Sequence, residues 1–269
     1  MASGARPTST SASPVPAGAE VPVSDNRRPR PNLMSAAARK DLRHRMLFHR
    51  QAALERISAL TGASASELRE LRRQLAESDL PDRLLARGAT DAFPRELPQA
   101  ALLYLLIRAS RPKRVVETGV GPGYSTSWIL EALAANGAGE LLSLGPGSHV
   151  GRSNGVGPFT VGSLVPPALR SRWTLVLGNT DSRFEDIVRP EHATDLVLVD
   201  RVLDVDRTRF ELHHAWSSLA PHGLLLAHHI DANPAWDDLC RAQGLPPQLL
   251  DAGPPPMGAL SVARARPSR

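Results

Sequence analysis

The stretch Arg114–Thr126, RVVETGVGPGYST, decides how this chain of 269 residues folds. Val115 and Val116 are β-branched and follow the breaker pair Arg111-Pro112, which predicts a short buried strand ending near Glu117. Gly119, Gly121 and Gly123 then let the backbone turn sharply and approach a ligand closely. From Ser125 to Leu133 the residues favour a helix, and its first N–H groups would point at that ligand. The spacing is G-x-G-x-G rather than the G-x-G-x-x-G of dinucleotide loops. An acid two residues before the first glycine would repel a pyrophosphate and suits a ligand carrying an ammonium group. The competing reading is a plain strand-to-helix turn of a doubly wound fold, so the flanking sequence has to be weighed with it.

Outward from this loop, the pattern alternates. Pro98–Ser110 is apolar nearly all round, which predicts a buried helix leading into the first strand. Apolar strand candidates recur at Glu140–Leu144, Trp173–Leu177, Asp195–Val199 and Gly223–Ala227. Helix candidates at Ser182–Val188, Val205–Leu219 and Pro234–Gln243 separate them, and Met257–Ala263 reads as a final strand. Such alternation predicts an α/β fold of Rossmann-like type, a doubly wound and mostly parallel sheet with helices on both faces, over residues 97–269.

Before that domain, residues 32–96 read as a helical extension or cover. Met46, Leu47, Leu54, Ile57 and Leu60 mark one apolar face, Leu68, Leu71 and Leu75 another, and Ser64 with Glu67 forms a capping-box start between them. These helices could cover the site or pair two subunits as a homodimer through Asp41–Ser78. Residues 1–31 are dense in Ala, Ser, Pro and Gly and poor in large apolar residues, so they read as a disordered arm.

Charge is uneven. Met1–Arg50 holds nine Lys or Arg against three acids, a net of +6, whereas the whole chain is +5, which leaves −1 for the remainder. Without interleaved aromatics the basic arm reads as a solvated tail, and no nucleic-acid partner is expected. Cys240 is the single cysteine, so no intramolecular disulfide can form. No run approaches the length of a membrane helix, and residues 1–30 lack the apolar core of a secretory signal. A cytoplasmic protein with no membrane partner is expected.

The loop and four later segments resemble the class I S-adenosylmethionine-dependent methyltransferases, specifically a bacterial group with a VVETG loop. The matching segments are Arg114–Tyr124, Gly139–Gly145, Val161–Trp173, Asp195–Asp206 and Leu219–Ile230. Within the third, Val161, Gly162, Leu164, Val165, Pro166, Leu169, Arg170, Arg172 and Trp173 follow the group's pattern closely. The resemblance implies S-adenosylmethionine as cofactor. Glu117 would hold its amino group, Gly119, Gly121 and Gly123 would pass beneath its sugar and methionine portions, and Tyr124 and Ser125 would flank them. The loop Asn179, Thr180 and Asp181 would touch the adenine, although Asp181 is equally a helix N-cap. Asp200 would take the position of a substrate or metal contact, or simply end its strand.

Three positions depart from the group's pattern. Gly145 stands where an acid would bridge the ribose hydroxyls, Leu203 where the pattern has a histidine, and His228-His229 where it has paired acids. Adjacent residues at a strand end point oppositely, so one of His228 and His229 is expected to face the pocket. That imidazole could take a proton near neutral pH or join Asp200 at a divalent ion, and no residue is assigned as a metal ligand. His213 and His214 fall inside a helix and read as structural or exposed. The leading expectation is methyl transfer to a small molecule, to oxygen in preference to nitrogen, with Asp200, His228 and His229 as catalytic candidates. The alternatives are a noncatalytic scaffold that keeps the fold, and a nicotinamide-dependent oxidoreductase, which the glycine spacing and the missing acid disfavour.

Overall fold

A computed structural model describes residues 51–87, 97–145, 150–151, 159–178, 180–189, 191, 193–200, 204–251, 253 and 256–265. The expected disordered arm, residues 1–31, lies outside them. In chain order the elements are α1 (Gln51–Thr61), α2 (Ala65–Glu77), α3 (Leu80–Arg87), α4 (Leu97–Ser110), β1 (Arg114–Thr118), α5 (Tyr124–Asn136), β2 (Glu140–Gly145), β3 (Val150–Gly151) and β4 (Phe159–Thr160). A 3₁₀ turn at Pro167–Arg172 precedes β5 (Trp173–Leu177). The chain continues through α6 (Thr180–Ile187), β6 (Thr194–Val199), α7 (Val205–Ser218), β7 (Leu219–His228), α8 (Ala235–Ala242), β8 (Leu249–Asp251), β9 (Met257–Ser261) and α9 (Val262–Ala265).

The main sheet has seven strands in the order β5-β2-β1-β6-β7-β9-β8. Strands β5 to β7 run parallel, and β9 pairs antiparallel with both β7 and β8. The doubly wound, mostly parallel architecture expected from the alternation is therefore present. Successive units step from β1 outward to β2 and β5, then return to the other side of β1 as β6 and β7. That reversal leaves a crevice at the carboxyl ends of β1 and β6, where open α/β sheets place ligands.

Two apolar layers hold the sheet. Val115, Leu141, Leu196, Leu198, Leu224 and Leu226 face one cluster with α1, α2, α4 and α5. Val116, Leu144, Val197, Val199, Leu225 and Ala227 face a second with Phe184, Leu212, Ala215, Trp236 and Leu239. The helix expected at Pro98–Ser110 is α4, and Ala100–Ile107 is buried throughout. Helix α2 starts as its capping residues predict, with Ser64 Oγ accepting the Glu67 N–H at 3.1 Å. The apolar stripes of α1 and α2, including Leu54, Ile57, Leu68, Leu71 and Leu75, are spent within this chain's own core. Their outer surface carries ion pairs such as Arg73 with Glu70 and Glu77.

Several boundaries differ from expectation, two of them at the strands near the carboxyl-terminal end. Strand β7 begins at Leu219 rather than Gly223, and β9 stops at Ser261, where a short helix replaces the last strand residues. Strand β8 was not anticipated, because its three residues sit in a proline-rich stretch too short to show alternation.

Gly162 pins the site from beneath. Its φ is +70°, and a Cβ built there would lie 2.3 Å from Cη2 of the buried Trp173. Gly162→Ala is expected to destabilise the fold by about 2–4 kcal/mol through backbone strain and overpacking, read as a lower urea midpoint. An unchanged midpoint would show that Trp173 is free to move aside.

Candidate active site

Register brings the chemistry together. Glu117 sits level with Ser143 of β2 and Leu198 of β6, and Leu198 with Leu226 of β7. Two residues beyond that row, on the same face by strand alternation, come Asp200 and His228. The Asp200 N–H donates to the Thr118 carbonyl at 3.2 Å, which fixes the turn after β6 against the glycine loop. The loop's acid and the two candidates from β6 and β7 thus converge on three adjacent strand ends.

Glu117 is wholly buried, yet its carboxyl is fully served. Ser125 Oγ donates to Oε1 at 2.6 Å, while Thr126 Oγ1 and Ser143 Oγ donate to Oε2 at 2.7 Å each. Trp173 Nε1 in turn donates to Ser143 Oγ at 3.0 Å. Burial pushes the Glu117 carboxyl up to about 7, the three hydroxyls oppose that rise, and the charge of Asp200 adds to it. The sequence pointed to Glu117 and Ser125 but passed over Thr126, Ser143 and Trp173. The signal was available, since a buried acid requires donors and alternation places Ser143 on its face.

The glycine loop is clamped from behind. Gly162 N–H donates to the Gly121 carbonyl at 3.1 Å, and Leu164 N–H to the Pro122 carbonyl at 2.8 Å. Gly123 has φ +95° and caps α5, and a Cβ there would fall 2.8 Å from Val165 Cγ2. By contrast, a Cβ on Gly121 would meet only the Gly119 carbonyl, at 3.9 Å, so that side of the loop is open. Gly119, Gly121 and Ser125 are half-buried and border the opening. Tyr124 is turned into the core and supports the loop from within.

Asp200 and His228 are directly bonded, Oδ1 to Nδ1, at 2.7 Å. Burial raises the Asp200 carboxyl, but the charge and hydrogen bond of His228, helped by His229 and Ser125, outweigh it and hold the group below the ordinary range. Burial, with His228 beside it, lowers His229, against the opposing pull of Asp200 and Asp231. The expected alternation of the two histidines fails. His229 has φ +54°, which breaks the strand, and both histidines are among the residues that line one narrow cleft with Thr208, Asn233 and Trp236. Their rings stand 6.1 Å apart at 78°. A left-handed histidine is a strained feature of the sort that concentrates at functional sites.

The far end of the site is different. Gly145 ends β2 with no acid, and a Cβ there would come within 2.7 Å of Leu177 Cδ2 and 3.3 Å of Val161 Cγ1. Asn179 and Leu203 lie outside the described residues, as do the side chains of Thr180 and Asp181, whose backbones open α6. His213 is exposed and His214 stacks on Phe210, so neither reaches the site. Among the described residues no group of three or more His, Cys, Asp or Glu is arranged to hold a metal ion.

Residues 116–230, which span this geometry, match the family model described as a methyltransferase domain. That match is consistent with the class I S-adenosylmethionine-dependent methyltransferases that the sequence resembles. A comparison with curated proteins finds no match. Similar solved structures include an O-methyltransferase of Bacillus cereus in complex with S-adenosylhomocysteine, at 14% identity and TM-score 0.47, covering 78% of this chain and 97% of that one. Another is an O-methyltransferase of Streptomyces achromogenes involved in tomaymycin synthesis, in complex with S-adenosylmethionine, at 23% identity and TM-score 0.41, covering 67% and 73%. A third is a methyltransferase of Podospora anserina bound to S-adenosylhomocysteine, at 13% identity and TM-score 0.43, covering 78% and 95%.

As a seat for S-adenosylmethionine, the cofactor that the resemblance implies, the site is uneven. At the amino-acid end, the open side of Gly121 and the Ser125–Glu117 pair offer space and a negative group for an ammonium. At the sugar end, Leu177 and Val161 crowd Gly145, so an acid could not be restored there without moving them. One charge-assisted contact of about 1.5–3 kcal/mol is missing from the ribose side.

The raised Glu117 carboxyl makes a stability prediction. Its folded value, about 7, exceeds the ordinary 4.5, so ionised Glu117 destabilises the fold above pH 7. The penalty fades as pH falls from 7 to 4.5, because only the folded state gains the proton. Glu117→Gln should therefore unfold at higher urea than the parent at pH 8.5, by as much as a few kcal/mol, and by less at pH 5. Equal differences at both pH values would contradict a buried, titrating Glu117.

Proposed function

We propose that this domain methylates an oxygen of a small acceptor molecule, with His228 as the base and Asp200 as the residue that orients it. S-adenosylmethionine supplies the methyl group on a positively charged sulfur, already an excellent leaving group. What remains for the chain is to bind, align and remove one proton.

The observation that carries this reading is the Asp200–His228 bond, placed two residues beyond Glu117 on the same sheet face. With Asp200 holding the His228 ring through Nδ1, Nε2 is the nitrogen proposed to take the acceptor's proton. Asp200 also stabilises the imidazolium formed once the proton is taken. This bonded pair stands in contrast to the open alternative in which Asp200 and a histidine jointly hold a divalent ion. Each already serves as the other's partner. His229 is proposed to border the acceptor cleft with Trp236 and Asn233, and Gly119, Gly121, Gly123 and Ser125 to form the cofactor seat.

Calorimetric titration with S-adenosylmethionine, followed by methyl-transfer assays across a panel of small alcohols and phenols, tests the reading. Glu117→Ala should weaken cofactor binding tenfold or more, as expected when a charge-assisted contact is lost. His228→Gln should leave cofactor affinity in place and lower kcat by roughly 10²- to 10⁴-fold. Unchanged turnover in His228→Gln would remove its role as base, and absence of binding by the parent protein would favour the scaffold reading.

A further inference from the structure

The cleft beside the candidate base contains a donor without a partner. Trp236, in the first turn of α8, is buried, and its Nε1–H meets no hydrogen-bond acceptor among the described residues. The ring lies hard against β9, where a Cβ built on Gly258 would fall 2.3 Å from its Cζ2 and 2.4 Å from its Cε2. Gly258 pairs with Ala227 of β7, and Ala227, His228, His229 and Trp236 all line the cleft. An N–H left unpaired in the interior is costly, so a partner that enters the cleft gains by supplying an acceptor.

Other polar side chains of the cleft are committed to local structure. Thr208 Oγ1 donates to the Asp204 carbonyl at 2.9 Å, Asn233 Nδ2 donates to Thr208 Oγ1 at 3.2 Å, and Asn233 Oδ1 accepts the Ala235 N–H at 3.0 Å. Val199, Leu212, Ala227 and Ile230 supply apolar wall. A volume of about 10 Å³ has room for one oxygen-sized group and none for a ring. No Lys or Arg is among the lining residues, and the carboxylate of Asp200 stands beside His228, so an anionic group is disfavoured there. The occupant that meets these terms is a projecting neutral oxygen that accepts a hydrogen bond.

We propose that Trp236 is a specificity-determining residue whose indole N–H holds a carbonyl oxygen of the acceptor while the acceptor's hydroxyl meets His228. This deepens, and rests on, the preceding reading of His228 as the base. The acceptor is then a hydroxy ketone, ester or amide with its two oxygens a few bonds apart, rather than a simple alcohol. The hydroxyl oxygen gains the methyl group and gives its proton to His228, the sulfur keeps the bonding electron pair, and the carbonyl is unchanged. A molecule lacking the carbonyl leaves the Trp236 N–H unpaired, and that difference is what discriminates.

The test uses the full chain, labelled with ¹⁵N in its tryptophans and saturated with S-adenosylhomocysteine. It is titrated with ortho- and meta-hydroxyacetophenone, and with ortho- and meta-ethylphenol, in which a methylene replaces the carbonyl. The ketones should move the Trp236 indole N–H signal downfield, the signal being assigned through its nuclear Overhauser contacts with Gly258, and the ethylphenols should not. By calorimetry at least one ketone should bind roughly tenfold or more tightly than its ethylphenol counterpart. Trp236→Phe, which keeps an aromatic ring and removes the N–H, should reduce that preference to about threefold or less.

An indole signal that the ketones leave in place, as when the cleft takes up only water, overturns the proposal on the parent protein alone. Equal binding of ketones and ethylphenols, a preference that survives in Trp236→Phe, or failure of every probe to bind overturns it too, and each leaves the cofactor seat standing. Absence of S-adenosylhomocysteine binding overturns the preceding reading as well.

Discussion

A carboxyl group sealed from water at the end of the central strand is the constraint around which this molecule is organised. An isolated buried carboxylate costs far more than a small domain can spare, so Glu117 can exist only where donors surround it. Three hydroxyls meet that need, and each comes from a different commitment of the fold. Ser143 is placed by the parallel register of β1 and β2, Ser125 and Thr126 by the start of α5, and Ser143 is held in turn by Trp173. The segment that delivers Trp173 also ties down the carbonyls of the glycine loop. Packing, backbone bonding and site electrostatics are thus one structure rather than three.

The same register explains why the candidate base lies where it does. β1, β6 and β7 are neighbours, and their equivalent positions fall in one row on one face. Residues just beyond that row reach the crevice at the carboxyl edge of the sheet. Asp200 and His228 occupy it and hydrogen-bond one another, which leaves a compact polar pair between apolar layers. A bonded acid and imidazole tolerate that environment better than two acids would, because like charges there would each be forced toward the neutral form.

Much of this was legible in the sequence, and the gaps have physical causes. Strands β1, β2, β5 and β6 announced themselves through short apolar runs, and α4 through its all-round apolar surface. Helix α2 was visible in Ser64 and Glu67. Gly145 was correctly singled out, but its crowding by Leu177 and Val161 is a tertiary fact that no local pattern carries. Alternation misled at His229, since one left-handed residue cancels a period-two argument and a histidine gives no warning of adopting it. Thr126, Ser143 and Trp173 were given no role at the site, because their importance lies in what they touch. The N-terminal helices were readable as amphipathic, yet only the folded chain shows their apolar faces turned onto α4 and the core beside it.

The central claim is that the amino-acid end of a charged nucleoside rests on the open side of Gly121, against Ser125 and Glu117. A crystal structure of the protein with S-adenosylhomocysteine tests it most directly. The ligand's amino nitrogen should lie within hydrogen-bonding distance, roughly 3 Å, of the Ser125–Glu117 pair, with Asp200 and His228 still bonded beside it. A ligand whose amino group points away from Glu117, or whose adenosine lies elsewhere on the protein, would contradict the account at its foundation.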